Sequence, residues 1–78
     1  MQDLIEYIAK SLVDDPTQVE VEQLRRGAQV MISLRVAKED MGRIIGKSGR
    51  VAGAMRTLLR VAAAQEGKRA SLDIVEPD

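Results

Sequence analysis

The sequence predicts a small α+β domain in which a three-stranded sheet is covered by three helices, in the order α-β-β-α-α-β. Three observations support this prediction. Apolar residues recur at helical spacing near the start of the chain, apolar and polar residues alternate over 30–36, and a glycine-bounded tetrapeptide at 46–49 separates two helical stretches. With 78 residues, the chain is predicted to form one domain spanning 1–78.

The first element is an amphipathic helix. Its apolar residues follow one another at helical spacing between Leu4 and Val13. Asp3 and Glu6, three positions apart, are predicted to form a variant of the capping box at its start. The helix is expected to end by Asp14, because the Asp-Pro step that follows favours extended or turn backbone.

Two strands follow the first helix. Val19 and Val21 alternate with glutamates, as in a half-exposed strand, and the Arg-Arg-Gly segment at 25–27 is predicted to be the turn. The clearest strand lies at 30–36, where apolar and polar residues point alternately to opposite faces. Its apolar face consists of Val30, Ile32, Leu34 and Val36.

Two helices and a last strand complete the predicted order. A short helix runs from Lys38 to Ile45 and is expected to stop at Gly46. The second runs from about Arg50 to Glu66 and ends at a glycine, after which a basic turn at 68–69, a strand around 72–74 and a short acidic tail follow. The apolar side of the second helix is predicted to comprise Val51, Met55, Leu58, Leu59 and Ala62.

The formal net charge is zero, but the charges are segregated along the chain. Residues 1–42 carry five basic and eight acidic side chains, whereas residues 43–69 carry seven basic side chains and one acidic one. Such a segment can attract a polyanion locally, although a solvated helix face would show the same pattern.

The tetrapeptide at 46–49 has the features of a phosphate-binding loop. Gly46 and Gly49 lack a Cβ, so that the turn can adopt positive φ and a ligand can approach the main-chain N–H groups. Lys47 and Arg50 add positive charge, and a helix start favours an anion. A lone Gly-x-x-Gly is often only a turn, and the motif of nucleotide-hydrolysing loops is absent from the sequence.

The sequence around this tetrapeptide resembles that of the KH-domain family. The stretch 44–49, Ile-Ile-Gly-Lys-Ser-Gly, matches the family's IIGxxG motif, and the element order resembles the prokaryotic, type II arrangement. The resemblance covers nearly the whole chain, and the length is similar to that of the small bacterial single-KH proteins of the KhpA family. One departure is Ala52, where many KH domains have isoleucine.

The resemblance implies a non-catalytic protein that holds single-stranded RNA through the GxxG loop and an adjacent groove. It also implies a post-transcriptional RNA chaperone or regulator connected with cell shape and cell division. No residue distinguishes RNA from single-stranded DNA, and no cofactor is expected. The predicted RNA-binding residues are Ile45, Gly46, Lys47, Ser48, Gly49, Arg50, Val51, Arg56, Lys68 and Arg69.

A second hypothesis is a protein-interaction or dimerisation module whose RNA affinity comes mainly from a partner. Tyr7 is the only aromatic residue, so the stacking platforms of many single-strand binders are absent. Val61 and Ala64 widen the apolar arc of the long helix and are candidates for a self-association surface. The resemblance implies a homodimer, or a heterodimer with a larger, KhpB-like KH protein that binds RNA.

Other classes of function have little support. The chain has no histidine and no cysteine, which excludes both as general base, nucleophile or metal ligand. Its apolar runs are far shorter than the roughly 18 residues of a membrane span, so no membrane insertion is expected. The start of the chain lacks the pattern of a signal peptide, and a cytoplasmic location is predicted.

Overall fold

The computed structural model describes residues 1–75, and for residues 47 and 48 it describes the backbone alone. Five main elements follow one another along the chain, with single 3-10 turns at Pro16–Gln18 and Lys38–Asp40. The predicted acidic tail after the last strand lies outside the described residues. The elements are α1 (Gln2–Leu12), β1 (Glu20–Arg26), β2 (Gln29–Arg35), α2 (Met41–Gln65) and β3 (Arg69–Val75).

The long helix α2 consists of two arms. Hydrogen bonding makes Met41–Gln65 a single helical element, but Gly49 has φ +80°, which is far from the right-handed helical value near −60°. We call residues 41–48 the N-terminal arm and residues 50–65 the C-terminal arm. With α1, the arms form three helical segments and confirm the predicted α+β fold with αββααβ order.

The sheet is mixed and has the order β1-β2-β3. β1 pairs antiparallel with β2, and β2 pairs parallel with β3. The central strand β2 buries the predicted apolar face, because Val30, Ile32 and Leu34 are at most 1% exposed. The helices pack on this face, and their buried residues include Ile5, Ala9, Ile44, Met55 and Leu59.

Several predicted boundaries were wrong for local reasons. Asp3 does not cap α1, because the helix begins at Gln2 and the N–H of Ile5 bonds the carbonyl of Met1 at 3.4 Å. Arg26 pairs with Gln29 as the last pair of the β1–β2 hairpin, so the turn lies at 27–28 rather than 25–27. The predicted basic turn at 68–69 is also shorter than expected, because Arg69 pairs with Gln29 of β2 and is the first residue of β3.

The residues that the C-terminal arm buries differ slightly from those predicted. Met55 and Leu59 are buried as expected, but Leu58 is 50% exposed. The other buried positions are Ala52 and Ala63, so that the buried residues recur every three or four positions. Ala52, the departure from the KH pattern, therefore lies in the core, where a small side chain allows close helix packing.

The predicted end of the long helix is confirmed. Gly67 has φ +69°, and its N–H bonds the carbonyl of Ala64 at 3.1 Å. The N–H of Lys68 reaches the carbonyl of Ala63 at 2.9 Å. These two bonds define a Schellman motif, in which a left-handed glycine ends the helix.

Candidate nucleic-acid interface

The junction between the two arms of α2 contains the predicted phosphate-binding loop. The expected helix stop at Gly46 was wrong, because the helical backbone continues through that residue and positive φ occurs only at Gly49. A Cβ placed on Gly46 or Gly49 would meet no described heavy atom within 4 Å beyond the chain neighbours and the nearby backbone of the helix itself. The backbone is therefore accessible on the side where each Cβ would stand, and a ligand can approach it.

The residues around the junction combine apolar and basic groups. Ile45 is 45% exposed although it is large and apolar. Val51 is partly buried and packs against the core, and Arg50 is exposed to solvent. The side chains of Lys47 and Ser48, both predicted RNA-binding residues, are not among the described parts of the structure.

Arg56 connects the C-terminal arm with the free edge of the sheet. Its Nε donates a hydrogen bond of 3.4 Å to the main-chain carbonyl of Leu72. β3 is an edge strand, so this bond joins the C-terminal arm to the edge of the sheet. The predicted binding residue Arg56 thus lies between helix and strand, as it would in a groove bounded by the two elements.

A basic depression lies at the far end of the C-terminal arm. It has a volume of about 300 Å³ and is lined by Arg60, Lys68, Arg69 and Ala70. Lys68 Nζ is 3.7 Å from a carboxylate oxygen of Glu66, which offsets part of its charge. Two of the predicted binding residues, Lys68 and Arg69, are therefore brought together here rather than at the loop.

Ten residues of helix separate Arg50, next to the loop, from Arg60, at the depression. At 1.5 Å per residue this is about 15 Å. Arg60 was not predicted as a site residue, although it follows Arg56 by four positions and such residues are neighbours on a helix. That spacing is the sequence signal that could have identified it.

One cation of the basic segment, Arg43, is paired with carboxylates. Arg43 forms an ion pair of 2.9 Å with Asp14 and lies 3.6 Å from Asp40. The Asp40 side chain is only 3% exposed and accepts hydrogen bonds from the main-chain N–H groups of Asp14 and Asp15 at 3.1 and 3.2 Å. Arg43 therefore belongs to a structural cluster between α1 and α2.

The described residues hold no cluster of three or more acidic side chains placed to coordinate a metal ion. Over the same range, none of the helices has both the length and the apolar character needed to cross a bilayer.

Comparison with family models identifies the relatives of this chain. The family model of the KhpA/KhpB KH domain matches residues 2–74. The chain belongs to the KhpA/KhpB KH-domain family. The match confirms the resemblance inferred from the IIGxxG motif. It also confirms the prediction that the chain is not an enzyme, because this family is non-catalytic.

Curated relatives align with this chain over nearly their whole length. The chain is 48% identical over 75 residues to RNA-binding protein KhpA of Caldanaerobacter subterraneus subsp. tengcongensis and 47% identical over 75 residues to that of Clostridium acetobutylicum. In both comparisons the alignment covers 96% of this chain and 100% of the relative. RNA-binding protein KhpA of Treponema pallidum is 44% identical, over 96% of this chain and 94% of the relative.

Solved structures with a similar fold are parts of larger proteins. Aquifex aeolicus Era bound to GDP.AlF4− superposes with a TM-score of 0.65. A second structure, of Era in complex with MgGDPNP and nucleotides 1506–1542 of 16S ribosomal RNA, gives 0.58. Each is 18% identical and matches 94% of this chain but 28% of the other chain. At this identity, the similarity supports the fold alone.

Proposed function

We propose that this chain binds single-stranded RNA without a catalytic step, holding backbone phosphates at residues 46–49. The observation that carries the proposal is the junction of α2, where Gly49 has positive φ and the positions of both glycine Cβ atoms face open space. Arg50 follows directly and supplies positive charge. The name of the relatives, RNA-binding protein KhpA, favours RNA over single-stranded DNA.

The remaining predicted residues extend this site along one groove. Single-stranded RNA exposes phosphates and base edges, so a binding protein needs polar backbone contacts next to an apolar surface. Ile45 and Val51 provide the apolar surface beside the loop, whereas Met55 and Leu72 are buried in the core. Arg56 and the basic depression then continue the groove away from the loop.

The affinity of a single chain should be modest. Tyr7, the only aromatic residue, is 73% exposed on α1 and is not part of this groove. The stacking of bases on aromatic rings, worth about 1–3 kcal/mol per base, is therefore missing. Weak, sequence-tolerant binding suits the role we propose, that of a cytoplasmic post-transcriptional RNA chaperone or regulator with a link to cell shape and division.

The loop is tested by the double variant Lys47→Asp/Ser48→Asp. Negative charge at both positions should abolish binding of a short fluorescent RNA in anisotropy titrations at about 50 and 200 mM salt, because backbone contacts to phosphates are electrostatic. Circular dichroism and thermal unfolding should match the wild type. Unchanged RNA affinity in the folded variant would exclude the loop from the binding site.

A second candidate function is a protein-interaction module, and two exposed residues favour it. Leu58 and Val61 are 50% and 54% exposed and lie three positions apart on the C-terminal arm. This stripe would contact a second copy or a larger, KhpB-like KH protein, and joining two grooves would raise RNA affinity through effective concentration.

The stripe is tested by Val61→Tyr. The added ring should disturb close helix packing and weaken association, measured by sedimentation equilibrium of the chain alone and of a mixture with a KhpB-like protein. Association unchanged in both experiments would rule out the stripe as the contact surface.

A further inference from the structure

The end of the sheet at the β1–β2 hairpin carries a further group of cations. Arg26 and Arg69 both pair with Gln29, so these three residues form one row across the sheet, with the two arginines about 10 Å apart. The row lies on the open face, the side away from the helices, because the adjacent residue Val30 is buried beneath them. All three residues are exposed. We call Arg26, Gln29 and Arg69 the hairpin row.

The hairpin row is continuous with the basic depression. Arg69 belongs to both, because it also lines the depression together with Arg60 and Lys68. Its main-chain N–H donates a hydrogen bond of 2.9 Å to the carbonyl of Ala28, which holds the hairpin turn beside the start of β3. The cations at the end of β1 and those near the α2–β3 connection therefore meet at one end of the molecule.

This end of the molecule has an excess of positive charge. Segments 25–30 and 60–70 contain five basic side chains and a single carboxylate, that of Glu66. In the described part of the chain, Glu66 lies 3.7 Å from Lys68, and neither Arg26 nor Arg69 forms an ion pair. Like charges held near one another destabilise a fold through repulsion, and an anionic ligand relieves that repulsion.

We propose that the hairpin row is a second RNA-contact site, which binds the phosphates of a strand that extends beyond the groove and the basic depression. The inference rests on the proposed function, since it requires a strand already held at the loop. Arginine suits such a site because its planar guanidinium donates paired hydrogen bonds to a phosphate. The amide of Gln29 adds donors between the two arginines. The site contacts the backbone and extends the length of RNA that one chain binds.

The charges of the open face confine the strand to this end. The next row of the sheet consists of Leu24, Met31 and Ser71 and is uncharged. In the row after it, Glu22 and Asp73 occupy the outer strands and are exposed. Their carboxylates repel phosphates, so the strand should follow the hairpin row from β3 toward β1 rather than run along the strands.

Short and long RNAs should therefore respond differently to a change in the hairpin row. A GxxG loop holds about four nucleotides, and an RNA of that length occupies the groove without reaching β1. An RNA of about 12 nucleotides lies within the size range of single-strand binding sites and is long enough to reach the row. The hairpin row should contribute to the affinity for the longer RNA alone.

The test compares Arg26→Gln with the wild type in anisotropy titrations of both RNAs, with protein concentrations up to about 1 mM. Loss of one phosphate contact should lower the affinity for the longer RNA about five- to tenfold at about 50 mM salt, and should reduce the slope of log affinity against log salt concentration by about 0.7. The affinity for the short RNA should stay unchanged.

Arg35→Gln is the matched control. Arg35 is an exposed arginine on the same open face, at the opposite end of β2, where it pairs with Glu20. Its replacement removes the same charge and should leave the affinity for both RNAs unchanged. Both variants should match the wild type in thermal unfolding, because both arginines are exposed.

The proposal fails if Arg26→Gln binds the longer RNA as tightly as the wild type does, if Arg35→Gln loses as much affinity, or if the short RNA is affected to the same degree. Failure of the proposed function gives a different result. In that case Lys47→Asp/Ser48→Asp, which should lose both RNAs, would bind the short RNA as the wild type does.

Discussion

At the residue scale, the two glycines of the loop have different physical roles. Gly49 is required by its own backbone, since φ +80° is unfavourable for a residue with a Cβ. Gly46 is helical, and an added Cβ would meet no described atom within 4 Å beyond the chain neighbours and the nearby backbone of the helix. Neither local conformation nor packing therefore requires glycine at position 46, and we propose that the approach of a ligand to the loop is the reason for it.

Gly46→Ala should consequently raise stability and lower RNA affinity. Replacing a helical glycine by alanine stabilises the fold by about 0.5–1 kcal/mol, measurable by urea unfolding, while the methyl group should weaken RNA binding severalfold in anisotropy titrations. Gly42→Ala is the matched control, because Gly42 is also helical with open space at its Cβ. The loop model is wrong if both variants bind RNA as the wild type does.

Asp40 is buried for structural reasons. Its carboxylate accepts the N–H groups of Asp14 and Asp15 and lies near Arg43. Asp40→Ala leaves both N–H groups without this acceptor and should lower the free energy of unfolding by about 2–4 kcal/mol. Asp40→Asn, which keeps one acceptor oxygen, should cost less. Equal urea midpoints for the wild type and the alanine variant would contradict this account.

At the element scale, the sequence predicted β2 and the end of α2 well because local signals agree with the tertiary structure there. Around Ile32, the apolar positions of the alternating pattern are the buried ones. Gly67 ends α2 with positive φ, as expected for a glycine after a helix. The end of β1 was missed because strand pairing, which sequence alternation does not reveal, keeps Arg25 and Arg26 in the ladder. The outward position of Leu58 was missed because apolarity alone does not fix the rotation of a helix.

The two-arm helix predicts a specific cost at Gly49. Gly49→Ala forces a Cβ into left-handed backbone and should destabilise the fold by about 1–2 kcal/mol in urea unfolding. Gly67→Ala, at φ +69°, should cost a similar amount. The Gly49 variant should lose more RNA affinity than the Gly67 variant, since Gly67 lies outside the loop. Equal loss of binding in both would mean that lowered stability, rather than the loop, explains the effect.

At the scale of the whole molecule, the charged residues are grouped differently from their order along the sequence. Within the basic segment at 43–69, Arg43 is paired with Asp14 and Asp40, and the charge of Lys68 is partly offset by Glu66. Arg26, outside that segment, pairs with Gln29 of β2, which in turn pairs with Arg69 of β3. These relations depend on pairing between distant residues, so the sequence alone does not reveal which cations are paired with carboxylates.

Arg60→Gln should therefore weaken RNA binding in a salt-dependent way. Loss of one phosphate contact reduces the slope of log affinity against log salt concentration by about 0.7 for a single strand. Arg43→Gln removes the same charge from an arginine that is engaged by carboxylates, and its slope should equal that of the wild type. Titrations over several salt concentrations measure both slopes, and the reverse ranking would disprove the proposed groove.

The most direct test of the central claim is an NMR titration of the ¹⁵N-labelled chain with a short single-stranded RNA. We expect the largest amide shift changes at residues 45–51, with smaller changes at Arg56 and Arg60 and little change in β1. Shift changes centred on β1, or their absence throughout the loop at saturating RNA, would contradict the account.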